Sequence, residues 1–281
     1  MNWFILTIIS AVAYAAAEII GKYVSDEKSE PVFIGIISAI VTTVFLFIWT
    51  FIESTTLPTT FLPYIGLLAS SLFVSVGIIT YYSGLKYSDV SEFALLSRSG
   101  SLIIIVGGFF LFGERFNLAQ IIGMVMVLLA VSLLSWEGKR FHFGKGSKYA
   151  LITAFLFALG ALCDKAVISY FSTGIYTFLV YLCTVVCMMP FAVHQYSQQR
   201  HLPGKDSLKK LVFTGLFYGI SAYGIYAAYN SDGSVGLISL ISQLQIPIAV
   251  LWGILILRER KRLITKFSAM GIMILGVILL K

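Results

Sequence analysis

VSEFALLSRSGSLIIIVGGFFLFGERFNL, residues 90–118, reads as an apolar helix that runs into a short polar turn. VGLISLISQLQIPIAVLWGILILRERKRL, residues 235–263, reads the same way 145 positions later. Val90, Leu95, Ser97, Ile103, Gly108, Glu114, Arg115 and Leu118 are matched by Val235, Leu240, Ser242, Ile248, Gly253, Glu259, Arg260 and Leu263. Leu and Ile match cheaply between apolar helices, but a Glu-Arg pair landing in equivalent short loops does not. The chain therefore reads as a duplication, and the rest of the sequence can be tested against that.

Working outward, apolar runs of roughly 20 residues recur along the whole length, each long enough to cross about 30 Å of hydrocarbon as a helix. The punctuation by Gly, Pro and charge clusters predicts helices at about 3–24, 32–52, 62–86, 90–112 and 117–135, then at about 148–170, 174–195, 208–230, 234–257 and 262–280. Of 281 residues, 58% are hydrophobic and only 12% charged, where a soluble domain carries about 25% charged residues; the mean hydropathy is +0.92. The fold class this implies is an all-α integral membrane protein of ten transmembrane helices. Five is odd, so the two five-helix repeats must be inverted relative to one another. Residues 1–137 form the first repeat, 138–147 a polar, glycine-rich connecting loop, and 148–281 the second. What lies outside the spans is too short for a separate soluble domain, which excludes soluble catalysis and nucleic-acid binding.

Positive charge orients the bundle. Sixteen of the 20 Lys and Arg residues, Lys22, Lys139, Lys205 and Arg258 to Arg262 among them, fall in the loops after the first, third, fifth, seventh and ninth helices. That side is expected to be cytoplasmic in an inner or plasma membrane, with both termini outside. Met1 to Gly21 is too long for a signal core, lacks a basic start and is expected to be the first span. Cys163, Cys183 and Cys187 lie in apolar runs and are expected to act as small apolar fillers without disulfides. His142, His194 and His201 show no metal-ligand spacing, so neither a metal nor a cofactor is expected.

Ionisable groups inside spans are costly and mark function by default. Glu18 follows a run of small residues, with Tyr14 at i−4 and Gly21 at i+3 on its face, a setting in which a carboxyl can exchange a proton for a cationic group. Pairing with an arginine is the structural alternative. Arg98, inside the fourth span with Ser91, Leu95 and Ser101 on its face, keeps its charge. It must face a carboxylate such as Glu18 or Glu92, a carbonyl, water or an anionic part of the substrate. If Glu18 and Arg98 share a cavity, a zwitterion such as an amino acid is the natural cargo. In the eighth span Tyr223, Tyr226, Tyr229 and Asn230 are spaced to share a face, with Tyr218 a turn below, either as a cation-holding surface or as an interfacial belt. Ser239, Ser242 and Gln243 make a polar stripe in the ninth span, and Pro247 weakens the helix just beyond it. The first, fourth, eighth and ninth spans are thus expected around a cavity, with Tyr81 and Tyr82 of the third nearby. Asp164 and Lys165, near the outer end of the sixth span, either guard the external mouth or, as the preferred reading, mark where the helix reaches water. An inverted repeat is the architecture of alternating-access transporters. No intramembrane aspartyl, serine or metal protease motif occurs in the sequence, and no enzyme is expected.

Ala17-Glu-Ile-Ile-Gly21 resembles the first-helix glutamate motif of small multidrug resistance transporters, and Phe112-Gly-Glu-Arg-Phe-Asn-Leu-Ala-Gln-Ile-Ile-Gly-Met124 resembles their last loop and helix. Two fused five-helix repeats, with Gly113-Glu-Arg115 in one and Arg258-Glu-Arg260 in the other, resemble the ten-helix EamA-type branch of the drug/metabolite transporter superfamily. The resemblance covers essentially the whole chain and identifies a superfamily, not a cargo. It implies a secondary transporter, usually an exporter of amino acids, other metabolites or drugs, driven by a proton or substrate gradient. Glu18 then matches the proton- and cation-binding glutamate. Arg98 departs from the small multidrug pattern, which has an aromatic residue before Ser-Gly where this chain reads Ser97-Arg-Ser-Gly100, and its fixed charge repels a lipophilic cation unless Glu18 cancels it. The second half has no glutamate equivalent to Glu18. The expected function is export of small polar organic solutes such as amino acids by alternating access with proton coupling. Organic-cation efflux by proton antiport and translocation of a lipid-linked sugar are the alternatives. The expected partners are a small-molecule substrate and the lipid bilayer. A functional monomer is expected, because the fused repeats supply internally what a dimer of small four-helix proteins supplies by pairing.

Overall fold

Among the described residues each of the ten expected spans is represented by apolar helix, two of them interrupted. The computed structural model describes residues 2–22, 31–84, 87, 93, 96–135, 144–199, 205–256 and 263–281. The helices are α1 (Trp3–Lys22), α2 (Pro31–Trp49), α3 (Leu62–Gly84), α4 (Gly100–Phe112), α5 (Leu118–Ser135), α6 (Lys145–Val167, continued by a 3₁₀ turn at Ile168–Tyr170), α7 (Thr173–Gln199), α8 (Lys205–Asn230), α9 (Val235–Ser242), α10 (Gln245–Ile256) and α11 (Leu263–Leu279). Among the described residues six spans are at least 18 residues long and apolar enough to cross a membrane, one of which is α9 and α10 together; Gly35–Trp49, Leu96–Phe112, Leu118–Leu134 and Leu263–Leu279 are shorter apolar helices. The basic run 258–262, residues 136–143 with His142, and Ser91, Glu92, Leu95 and His201 lie outside the described residues.

The outside of the bundle is apolar, unlike the surface of a soluble protein, and hydroxyl groups are buried among the apolar core residues. Val44, Phe110 and Ile264 are 58%, 77% and 86% exposed, and such side chains cover the outside of the bundle, while Ser70, Ser71, Thr153 and Thr177 are fully buried between helices. With lipid as apolar as leucine, helices associate through close packing and polar contacts instead of hydrophobic burial. The pairings follow a pseudo-two-fold pattern. α1 packs on α8 as α6 packs on α3; α2 packs on α8 as α7 packs on α3; α1 meets α9 as α6 meets α4; and α2–α7, α4–α9 and α5–α11 are their own counterparts. At α5–α11 a Cβ on Gly123 would lie 2.7 Å from the Gly276 carbonyl oxygen, and one on Gly276 would lie 3.0 Å from that of Gly123, so the backbones touch.

The ninth span breaks between α9 and α10. Pro247 has no N–H for the Gln243 carbonyl, which instead accepts from Ile246 at 2.9 Å, and Gln243 and Leu244 bond back three residues to Leu240 and Ile241. The fourth span is interrupted only by a tightened turn at Ser99, whose backbone stays right-handed helical and bonds back three residues to Leu96 at 3.2 Å, with the Ser99 hydroxyl turned onto the same carbonyl at 2.7 Å. Ser99 and Leu244 are 145 positions apart, so the interruption is itself a repeated feature.

Glu114, from the Glu-Arg pair that revealed the duplication, caps the ninth span. Its carboxylate accepts from the Ser234 hydroxyl at 2.6 Å and from the N–H groups of Val235 at 2.6 Å and Gly236 at 3.2 Å, at the positive end of α9. Glu114→Ala is expected to cost about 1.5–3 kcal/mol, because backbone donors lose a charged acceptor. The exposed Arg115→Ala is expected to stay within about 0.5 kcal/mol. Midpoints of thermal unfolding in detergent compare the two variants.

Candidate functional site

Spans one, three, four, six, eight and nine surround a cavity of about 340 Å³. From α1 it takes Ser10, Ala11, Tyr14 and Glu18, a stripe at intervals of three or four residues that puts one helical face on the opening. From α3 comes Tyr81. The interrupted fourth span gives Ser97, Arg98, Gly100 and Ser101, and the broken ninth gives Ser239, Ser242, Gln243 and Gln245. Ala154, Phe157 and Ala158 of α6 and Ser221, Ile225 and Tyr229 of α8 complete the wall.

The two interruptions meet at the polar centre. Arg98 donates from Nη1 to Gln243 Oε1 at 3.1 Å, and Gln243 donates from Nε2 to Ser101 Oγ at 2.7 Å. Arg98 and Gln243 are 145 positions apart, so these are the equivalent residues of the two repeats, bonded across the pseudo-two-fold axis. The other guanidinium nitrogen, Nη2, lies 3.9 Å from Glu18 Oε1, with side-chain exposures of 19% and 28%. That is a loose ion pair, open to a third party. Tyr14 lies one turn before Glu18 on the same face of α1 and packs edge-to-face on Tyr218 at 5.3 Å. The Ser10 hydroxyl donates to the Ser221 carbonyl at 2.7 Å, joining α1 to α8 beside the cavity. The arrangement offers a carboxylate and a guanidinium side by side, with hydroxyls, an amide and tyrosine rings around them.

Of the residues expected at the site, Tyr14, Glu18, Tyr81, Arg98, Ser239, Ser242 and Gln243 are brought to the cavity, and Tyr82, Tyr223, Tyr226 and Asn230 are not. Tyr82 follows Tyr81 by one residue, about 100° around the helix, and packs with Ile36 and Met188 instead. Tyr223 hydrogen-bonds Glu53 and packs on Trp49 at 4.9 Å. Asn230 is exposed and donates to Thr173 at 3.1 Å. Tyr226 donates to Asp164 at 3.0 Å. The cavity face of α8 is Ser221, Ile225 and Tyr229, spaced by four, while the tyrosines at 223 and 226 belong to other faces. Ser10 and Ser221 were the signal missed: Ser10 stands one turn before Tyr14 and two before Glu18. The sixth span was also missed, since Ala154 and Ala158 carry no polar mark.

Asp164 corrects a second expectation. It does not mark a water-facing helix end, being only 4% exposed. Its carboxylate accepts the hydroxyls of Ser70, of Tyr176 at 2.8 Å and of Tyr226 at 3.0 Å. Lys165, its neighbour, turns away and donates to the Tyr229 carbonyl at 2.8 Å.

A solved crystal structure 14% identical in sequence superposes with a TM-score of 0.82 over 99% of this chain and 95% of that one, which establishes a common fold. No curated protein sequence matches the chain. The model of the EamA-like transporter family matches twice, over residues 1–136 and 144–281. A family model that covers both halves, on a fold of paired apolar spans around a charged cavity, makes this multi-pass membrane protein a member of the EamA-like transporter family, a transporter of the drug/metabolite type.

Proposed function

We propose that the protein exports small polar organic solutes, amino acids or related metabolites foremost, by alternating access, with proton coupling at Glu18. The observation that carries this reading is the opposite charge held loosely in one cavity: Glu18 and Arg98, 3.9 Å apart and both partly exposed. A zwitterion complements such a pair end for end, its ammonium on the carboxylate and its carboxylate on the guanidinium fork. A cavity of about 340 Å³ is at the small end of ligand pockets and suits one solute of that size. A proton and the solute's ammonium group compete for Glu18, and competition for one group couples the two fluxes reciprocally. The asymmetry of Lys and Arg supports both termini outside an inner or plasma membrane. The fused repeats support a functional monomer.

Organic-cation efflux is the second reading, favoured by the rings of Tyr14, Tyr81 and Tyr229 in the same cavity as Glu18. Arg98 argues against it. Solute-driven proton flux in sealed proteoliposomes, measured across a panel of amino acids and lipophilic cations, separates the two. Amino acids are expected to move protons, and Glu18→Gln is expected to reduce that flux at least a hundredfold. Proton movement with cations alone replaces the first reading by the second. Solute exchange without proton movement in either protein assigns Glu18 to pairing with Arg98 and removes the coupling.

A further inference from the structure

Outside the cavity the bundle holds a second carboxylate among tyrosines, one residue past the repeat equivalent of the first. Glu18 lies close to the end of α1 and shares the cavity with Tyr81 of α3. Asp164 lies close to the end of α6 and accepts a hydrogen bond from Tyr226 of α8. Tyr226 stands 145 positions after Tyr81, the offset of the duplication, and Asp164 stands 146 after Glu18. α1 and α3 are the counterparts of α6 and α8 in the pseudo-two-fold packing. Since the repeats are inverted, the two carboxylates sit toward opposite ends of the bundle, with Asp164 toward the end that carries the termini.

Asp164 stands one residue past the exact equivalent of Glu18, which is Cys163, and so turns to a different face of its helix, away from the cavity. Glu18 opens into the cavity beside a guanidinium. Asp164 is sealed under three neutral hydroxyl donors, and among the described residues no Lys or Arg is paired with it, the Lys165 ammonium being given to the Tyr229 carbonyl. A buried carboxylate is ordinarily matched by a cation or a metal, and three donors leave one of its roughly four acceptor positions free. Inverted repeats change access when the two halves exchange conformations, and that exchange opens the end of the bundle where Asp164 lies in place of the end where Glu18 lies. We propose that Asp164 is the counterpart of Glu18 at the opposite face, the group that holds the solute's ammonium when the cavity opens toward the termini. This rests on the transport reading above.

The test places a cysteine beside Asp164, as Ser70→Cys and separately as Val74→Cys one turn away, in a chain with Cys163, Cys183 and Cys187 changed to alanine. A membrane-impermeant trimethylammonium methanethiosulfonate is applied to each face of sealed vesicles, and exchange of labelled amino acids is followed in parallel. Labelling is expected at least tenfold faster from the face carrying the termini. Tetramethylammonium added at that face is expected to slow it at least fivefold, and Asp164→Asn is expected to remove the protection. Failure of both reporters to react from either face while exchange proceeds makes Asp164 a structural group and overturns the proposal. Faster reaction from the opposite face, or reaction without protection, overturns it as well. Protected labelling in a protein that exchanges no solute leaves this site standing and sinks the transport reading instead.

Discussion

Arg98→Ala is expected to turn the proposed amino-acid carrier toward cations. Removing the guanidinium strips the cavity of its fixed positive charge, leaves Gln243 Oε1 without its donor and leaves Glu18 without its neighbour at 3.9 Å. A hydrogen bond to a charged group contributes about 1.5–3 kcal/mol, and each 1.4 kcal/mol is tenfold in affinity. The half-saturating concentration for amino acids should therefore rise at least tenfold, while accumulation of a lipophilic cation such as tetraphenylphosphonium increases. Arg98→Lys should fall between, because an ammonium carries the charge but lacks the planar fork that reaches Gln243 and a carboxylate together. Uptake of labelled solutes into proteoliposomes measures all three proteins. Amino-acid flux untouched by Arg98→Ala would remove the carboxylate-binding role from this residue.

Gly100→Leu should leave no folded protein. A Cβ at position 100 would lie 2.7 Å from the carbonyl oxygen of Ala154 and 3.3 Å from its carbon, so the obstacle is backbone, with no rotamer to give way. Overpacking costs about 1–3 kcal/mol where side chains can shift; here α4 and α6 must separate, beside the cavity they line. Gly271→Leu is the control, since a Cβ there meets nothing within 4 Å, and it should stay within about 0.5 kcal/mol of the unmodified protein. Size-exclusion profiles in detergent distinguish them, with a monodisperse peak for Gly271→Leu and aggregate for Gly100→Leu. A monodisperse Gly100→Leu peak at the unmodified melting temperature would contradict the close approach of these helices.

The spans were legible because length and apolarity suffice to define them, and the duplication because a Glu-Arg pair is conspicuous among apolar residues. Pro247 announced a weak point in the ninth span, but the break falls one turn earlier, where the proline leaves the Gln243 carbonyl without its usual donor. No proline marks the tightened turn at Ser99; only the repeat points to it. At the site, Glu18, Arg98 and Gln243 stood out as polar groups that lipid would not tolerate. The tyrosines of α8 were harder to read, because residues 221 to 230 offer polar groups on more than one face, and only packing against α1 decides which face meets the cavity. Asp164 was misread for a related reason: Ser70, Tyr176 and Tyr226, which bury it, come from three other helices.

The interleaving of the halves bears on how the chain matures during synthesis. Ser10 bonds Ser221, Thr42 bonds the Gly215 carbonyl, Ser71 bonds the Val180 carbonyl and Thr80 bonds Thr153, each linking the first repeat to the second. When α5 leaves the ribosome, none of those partners has yet been made. Those four contacts become possible as α6, α7 and α8 follow, and the pairing of α5 with α11 closes after them. The contacts that join the two repeats thus become available in sequence as the second repeat is made, the α5–α11 pair last.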